Sequence, residues 1–185
     1  MEDSQIIAMY FDRDEGAIHA CREKYEPYCM AVARNILAEQ RDAEECVNDT
    51  WLRSWNAMPP HRPARLSAFL GKITRNLALN RWRSRRTARR GGGEVPLALA
   101  ELEECLSGGS TPEEELDAKA LTQAVTAYLR GQSALKRMVF IRRYWYLNTV
   151  PVIARQMAMS ESKVKSMLHR MRLELQEELE KEGLL

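Results

Sequence analysis

The sequence contains none of the short motifs that usually mark catalytic chemistry. Its one glycine run, Gly91-Gly92-Gly93, lacks the lysine and the helix start that a phosphate-cradling loop requires. No GxSxG or HExxH sequence is present. His19, His61 and His169 are the only histidines, and their spacing suits neither a metal nor a catalytic triad. The expectation is a protein with no catalytic residue, no cofactor and no bound metal. Its four cysteines, Cys21, Cys29, Cys46 and Cys105, form no CxxC pair. His19, Cys21 and Cys29 therefore lack the closely paired spacing of a structural zinc site, and the thiols read as buried and reduced. No apolar run approaches the length of a membrane span. The start Met1-Glu2-Asp3-Ser4-Gln5 is polar and acidic, unlike a signal peptide, so a cytoplasmic protein without membrane insertion is expected. Strand patterns and internal repeats are missing too.

What the sequence does have is charge sorted into blocks. Net charge is only +2. Residues 1–60 carry 6 basic and 12 acidic side chains, and residues 61–93 carry 10 basic and none acidic. Residues 94–118 reverse this with 8 acidic and none basic, and residues 119–185 hold 12 basic and 6 acidic. Each basic block is a candidate polyanion site, and each acidic block a candidate protein contact or charge mimic.

Helical periodicity runs through most of the chain. Ile18, Cys21, Tyr25, Tyr28, Val32 and Ile36 recur at three- and four-residue spacing, with Pro27 predicted to kink or split that helix. Asp42, with Glu45 three residues on, predicts the capped start of a second helix. Its apolar stripe is Ala43, Cys46, Val47, Thr50, Trp51, Ser54, Trp55 and Met58. Pro59, Pro60 and Pro63 then force a loop. A third helix, Leu66 to Arg83, buries Leu66, Phe69, Leu70, Ile73, Leu77 and Trp82, and presents Lys72, Arg75, Asn76, Leu79, Asn80 and Arg83 on its other face. Periodicity fails from Ser84 to Ser110, which reads as a linker. It resumes at Thr111-Pro112-Glu113-Glu114, a helix-start signature, and that helix stops at Gly131. Further helices are predicted from Ser133 to Leu147, from Thr149 through Met157, and from Glu161 to Glu180. The fold class is therefore all-α: residues 1–86 and 112–185 form two small helical domains, joined by an acidic linker at 87–111.

Two regions carry candidate nucleic-acid chemistry. The last two helices, joined by Ala158-Met159-Ser160, have the spacing of a helix–turn–helix, which places its second helix in a major groove. Val164, Met167, Leu168, Met171, Leu175 and Leu179 would face its core, leaving Lys163, Ser166, His169 and Arg170 outward with Lys165 at the border. No acidic residue lies between Glu161 and Glu174, so the leading half suits phosphate and base contacts. In the 61–93 block, arginines alternate with Phe69 and Trp82, a combination suited to a duplex backbone or an unpaired strand. A solvated basic face is the plain alternative for each. Glu44, Glu45, Asn48, Asp49 and Arg53 flank the stripe of the 42–58 helix and, taken alone, look like an ordinary charged surface.

Three segments resemble extracytoplasmic-function sigma factors. Asp42-Ala-Glu-Glu-Cys-Val-Asn-Asp-Thr-Trp-Leu-Arg-Ser-Trp55 is similar to their polymerase-binding helix. Leu66-Ser-Ala-Phe-Leu-Gly-Lys-Ile-Thr-Arg-Asn-Leu-Ala-Leu-Asn-Arg-Trp-Arg83 is similar to their promoter-melting helix. Ile153-Ala154 through Met159-Ser-Glu-Ser-Lys-Val-Lys-Ser-Met-Leu-His-Arg170 is similar to their helix–turn–helix. The resemblance implies a promoter-specificity subunit that partners core RNA polymerase, promoter DNA and an anti-sigma factor. It assigns Glu45, Asn48, Asp49 and Trp55 to the polymerase clamp. The Met58–Arg65 loop with Asn76 and Asn80 falls to the minus-ten element, and Arg75 and Arg83 share that basic face. Lys165, Ser166, His169 and Arg170 fall to the minus-thirty-five element, beside Lys163. The acidic segment 94–118 would pass through the polymerase product channel. Asn48 and Asp49 are one methylene shorter than the residues the family prefers, and the Pro-rich loop lacks the family's frequent aromatic. Two other readings stand beside this one. A helix–turn–helix regulator that does not join polymerase would have no need of the 42–58 helix. A nucleic-acid enzyme would need a serine, tyrosine or carboxylate–metal centre that is not found.

Overall fold

A computed structural model describes residues 1–86, 98, 101–102 and 114–184. Among these the regular structure is all helical, as the periodicity predicted, with no strand. The chain divides into two compact units, Met1–Gly91 and Gly92–Leu185.

The first unit holds α1 (Asp3–Phe11), α2 (Gly16–Ile36), α3 (Gln40–Ala57) and α4 (Leu66–Arg86). Helices α2, α3 and α4 pack on one another, and α1 lies on α2. The sequence reading missed α1, although Ile6, Ile7 and Tyr10 are buried at helical spacing and Gln5 Oε1 accepts from the Glu2 N–H at 3.0 Å. Pro27 does not split α2, which runs on through it. Proline deprives the Glu23 carbonyl of its helical donor, but Glu23 and Pro27 both face water, so solvent can take the donor's place. Helix α3 starts two residues before the predicted cap. Glu39 is the N-cap and Asp42 is buried within the first turn, where its carboxylate still lies near the positive end of the helix.

The predicted stripe of α3 is buried except for Trp55, which is half-exposed. Polar residues inside this core satisfy one another. Thr50 and Thr74 hydroxyls meet at 3.1 Å where α3 crosses α4, and Tyr10 and Ser54 hydroxyls do the same between α1 and α3. Gly71 is needed where α4 meets α2, because a Cβ there would collide with the Tyr28 hydroxyl. On α4, Leu79 is buried rather than outward, while Phe69, Ile73 and Trp82 are only half-buried.

The second unit holds α5 (Glu114–Gly131), α6 (Ala134–Phe140), a π turn (Ile141–Trp145), α7 (Val150–Gln156) and α8 (Glu161–Lys181). The expected cap at Thr111–Glu113 lies outside the described residues. Ser133, Thr149 and Ser160 each accept a backbone N–H three residues on, which caps three helix starts. The predicted helix from Ser133 to Leu147 instead widens after Phe140, and Leu147 ends it in the left-handed region at φ +56°. Ala158, at φ +51°, makes the sharp turn between α7 and α8. Val164, Leu168, Met171, Leu175 and Leu179 of α8 are buried as the stripe predicted. The linker reading of 84–110 needs amending. Ser84 to Arg86 complete α4, and Ala98, Glu101 and Leu102 are helical, with Ala98 fully buried.

Candidate nucleic-acid interface

In the first unit the basic face is carried by α4. Lys72, Asn76 and Asn80 follow at four-residue spacing and are all exposed, with Arg83 exposed beyond them. They form a ridge of amides and cations, the side-chain types that bond to base edges and phosphates. Arg75 is half-buried. Burial, and then the charge of Arg83, lower its pKa from the ordinary guanidinium value.

The loop between α3 and α4 is fixed at two points, by buried Met58 and buried Pro63, and holds cis bonds before Pro59 and Pro60. Its exposed His61 and Arg62 rest on rings from neighbouring helices. The His61 ring stacks on Phe69 with centroids 5.3 Å apart and planes at 23°. The Arg62 guanidinium lies over Phe11 at 5.0 Å. The loop has no aromatic of its own, but α1 and α4 bring two beside it. Phe69 is one turn beyond the end of the loop, whereas only the tertiary structure brings Phe11 to it, from about 50 residues away in sequence.

Helix α3 presents the other candidate surface. Glu45 and Asn48 are exposed and Asp49 is half-exposed. Glu45 and Asp49 are both bound by Arg81 of α4, at 2.9 and 2.8 Å, so one guanidinium bridges two carboxylates one turn apart. The pairing with Glu45, against the cost of burial, raises the Arg81 pKa further. Leu52, 60% exposed, lies on this same side of the helix and escaped the sequence reading. Trp55, two turns on from Asn48, is half-exposed. Its ring packs against Tyr10 and beneath Arg13, whose Nη1 donates to the Trp55 carbonyl at 2.9 Å. An open groove lined by Pro27, Met30, Arg34, Gln40, Glu44 and Asn48 runs between α2 and α3.

In the second unit Lys163, Lys165, Ser166, His169 and Arg170 are all exposed on α8. The Ser160 hydroxyl accepts the Lys163 N–H at 3.2 Å and fixes the start of this helix. The Arg170 side chain folds back, its Nε donating to the Ser166 carbonyl at 3.3 Å. Arg155 on α7 is exposed as well. Among the described residues no cluster of three metal-ligating side chains occurs, and no helix is long and apolar enough to cross a membrane.

Residues 21–88, which span α2, α3, the proline loop and α4, match the family model described as Sigma-70 region 2. No characterised protein matches the chain.

Proposed function

We propose that the chain, whose residues 21–88 match Sigma-70 region 2, is a sigma factor of the sigma-70 family, small and of the extracytoplasmic-function type. The family carries a sigma-factor role in promoter recognition with RNA polymerase. In the finer reading, the protein binds core polymerase through α3, reads an opened minus-ten element with α4 and the proline loop, and reads a duplex minus-thirty-five element with α8.

The observation that carries this reading is the exposed ridge Lys72, Asn76, Asn80 and Arg83, set inside the matched region and next to ring-backed His61 and Arg62. Flat rings, amides and cations side by side suit an unpaired strand, whose bases expose a stacking face and bonding edges together. The α8 face has the different composition of a duplex reader, with cations and small polar groups at the leading end of a capped helix. On the polymerase side, Glu45, Asn48 and Asp49 surround exposed Leu52, an apolar centre with a polar rim. Trp55 buttresses α1 in this scheme. An anti-sigma partner would most simply cover these same surfaces.

Run-off transcription with core polymerase tests the proposal. Core enzyme with this protein should start at discrete sites on genomic template, and core enzyme alone should not. Asn76→Ala with Asn80→Ala should lower initiation while leaving binding to core intact. Asp49→Asn with Leu52→Ala should weaken binding to core, and initiation should fall with it. Equal transcript patterns with and without the protein would overturn the reading.

A further inference from the structure

The largest fully buried side chain in the described structure is a cation, Arg143, in the π turn after α6. A guanidinium persists away from water only when its charge and its five N–H groups find partners. The main partner comes from a part of the chain that composition assigns to a linker. Glu101 meets Arg143 fork to fork, with Oε1 at 2.9 Å from Nη2 and Oε2 at 3.2 Å from Nε. Arg143 Nη1 donates to the Asn148 carbonyl at 3.2 Å. Glu101 Oε2 also accepts from the Tyr144 hydroxyl at 3.2 Å and from Arg172 Nη1 at 3.4 Å. Arg172 Nη1 donates in turn to the Tyr144 oxygen at 2.7 Å, which closes the network. Glu101 does not bind alone. Ala98 is fully buried, Leu102 packs on the core of the second unit, and the spacing 98, 101, 102 puts all three on one helix face.

We propose that Arg143, Tyr144 and Arg172 form a carboxylate receptor in the second unit, and that Glu101 is its resident ligand. This anchor makes the stretch around Glu101 part of the DNA-reading unit. Bidentate geometry, a buried cation and two apolar neighbours together distinguish it from a surface ion pair, which would leave both charges hydrated. That role of the second unit rests on the promoter-reading function proposed above.

Hydrogen exchange on the full-length protein tests the anchor without polymerase. Amides around Glu101 should be protected in the wild type, and Glu101→Gln, which removes the negative charge facing Arg143, should speed their exchange about tenfold or more. Arg172→Met removes an outer partner while Arg143 stays paired, so a smaller rise is expected there even if Glu101→Gln fails to fold. Replacing both charges at once, Glu101→Leu with Arg143→Met, should restore protection. Unprotected amides in the wild type, or equal exchange in all four proteins, would overturn the anchor.

Discussion

Arg170 and Lys165 lie five residues apart on α8, so at about 100° per residue they point roughly 140° apart and cannot share one base pair. Arg170→Ala should relax preference at one position of the minus-thirty-five element, at about 1–3 kcal/mol, whereas Lys165→Ala should weaken all sequences alike and flatten the salt dependence. Holoenzyme binding to a library of element variants at two salt concentrations separates the two outcomes. The buried thiols act on a different property. Burial pushes Cys29 up to about 11 and Cys46 up to about 12, from an ordinary value of 9.0. The folded state therefore holds protons that the unfolded chain releases first. Their contribution to stability is complete below pH 9 and is lost as pH rises towards 11–12. Denaturant titration of a Cys105→Ser variant should show the first unit weakening across that window. At pH 8 the three buried thiols should react with a thiol reagent only on unfolding.

Between elements, α4 approaches α2 closely at Gly71. Gly71→Ala should destabilise the first unit by about 1–3 kcal/mol, because a methyl there meets the Tyr28 hydroxyl. Tyr28→Phe should recover most of that loss when combined with it, since the colliding oxygen is then gone. Equal chemical-denaturation midpoints for Gly71→Ala and the double variant would refute this account. The Arg81 clasp is a second tie, from α4 to Glu45 and Asp49 of α3. It means that a charge reversal at Asp49 sets a new cation against Arg81 and disturbs α4, so loss of polymerase binding in such a variant has two causes. Asp49→Asn avoids that conflict.

For the whole molecule, the two compact units predict that residues 1–91 and 92–185 each fold alone and melt cooperatively. A fragment that starts at residue 112, as periodicity alone would have placed the boundary, lacks Glu101. It should be less stable than the 92–185 fragment by about 3–5 kcal/mol, the usual cost of stranding a buried charge. Calorimetry of the two fragments decides it, and equal stability would show that Arg143 finds another partner.

Much of this protein was legible one residue at a time. A helical stripe is a local pattern with a local cause, so the buried faces of α3 and α8 could be read directly. Exposure of Asn76, Asn80, Lys165 and Arg170 followed from the same periodicity, because a helix that buries one face must show the other. The tertiary structure alone decided what depends on residues distant in sequence. It set Phe11 beside the proline loop, bound Glu45 and Asp49 to Arg81, and paired Glu101 with Arg143 across 42 residues. Spacing along the chain carries no record of such contacts. Burial of a cation is decided by whether a partner arrives from elsewhere, and that is a property of the packed fold.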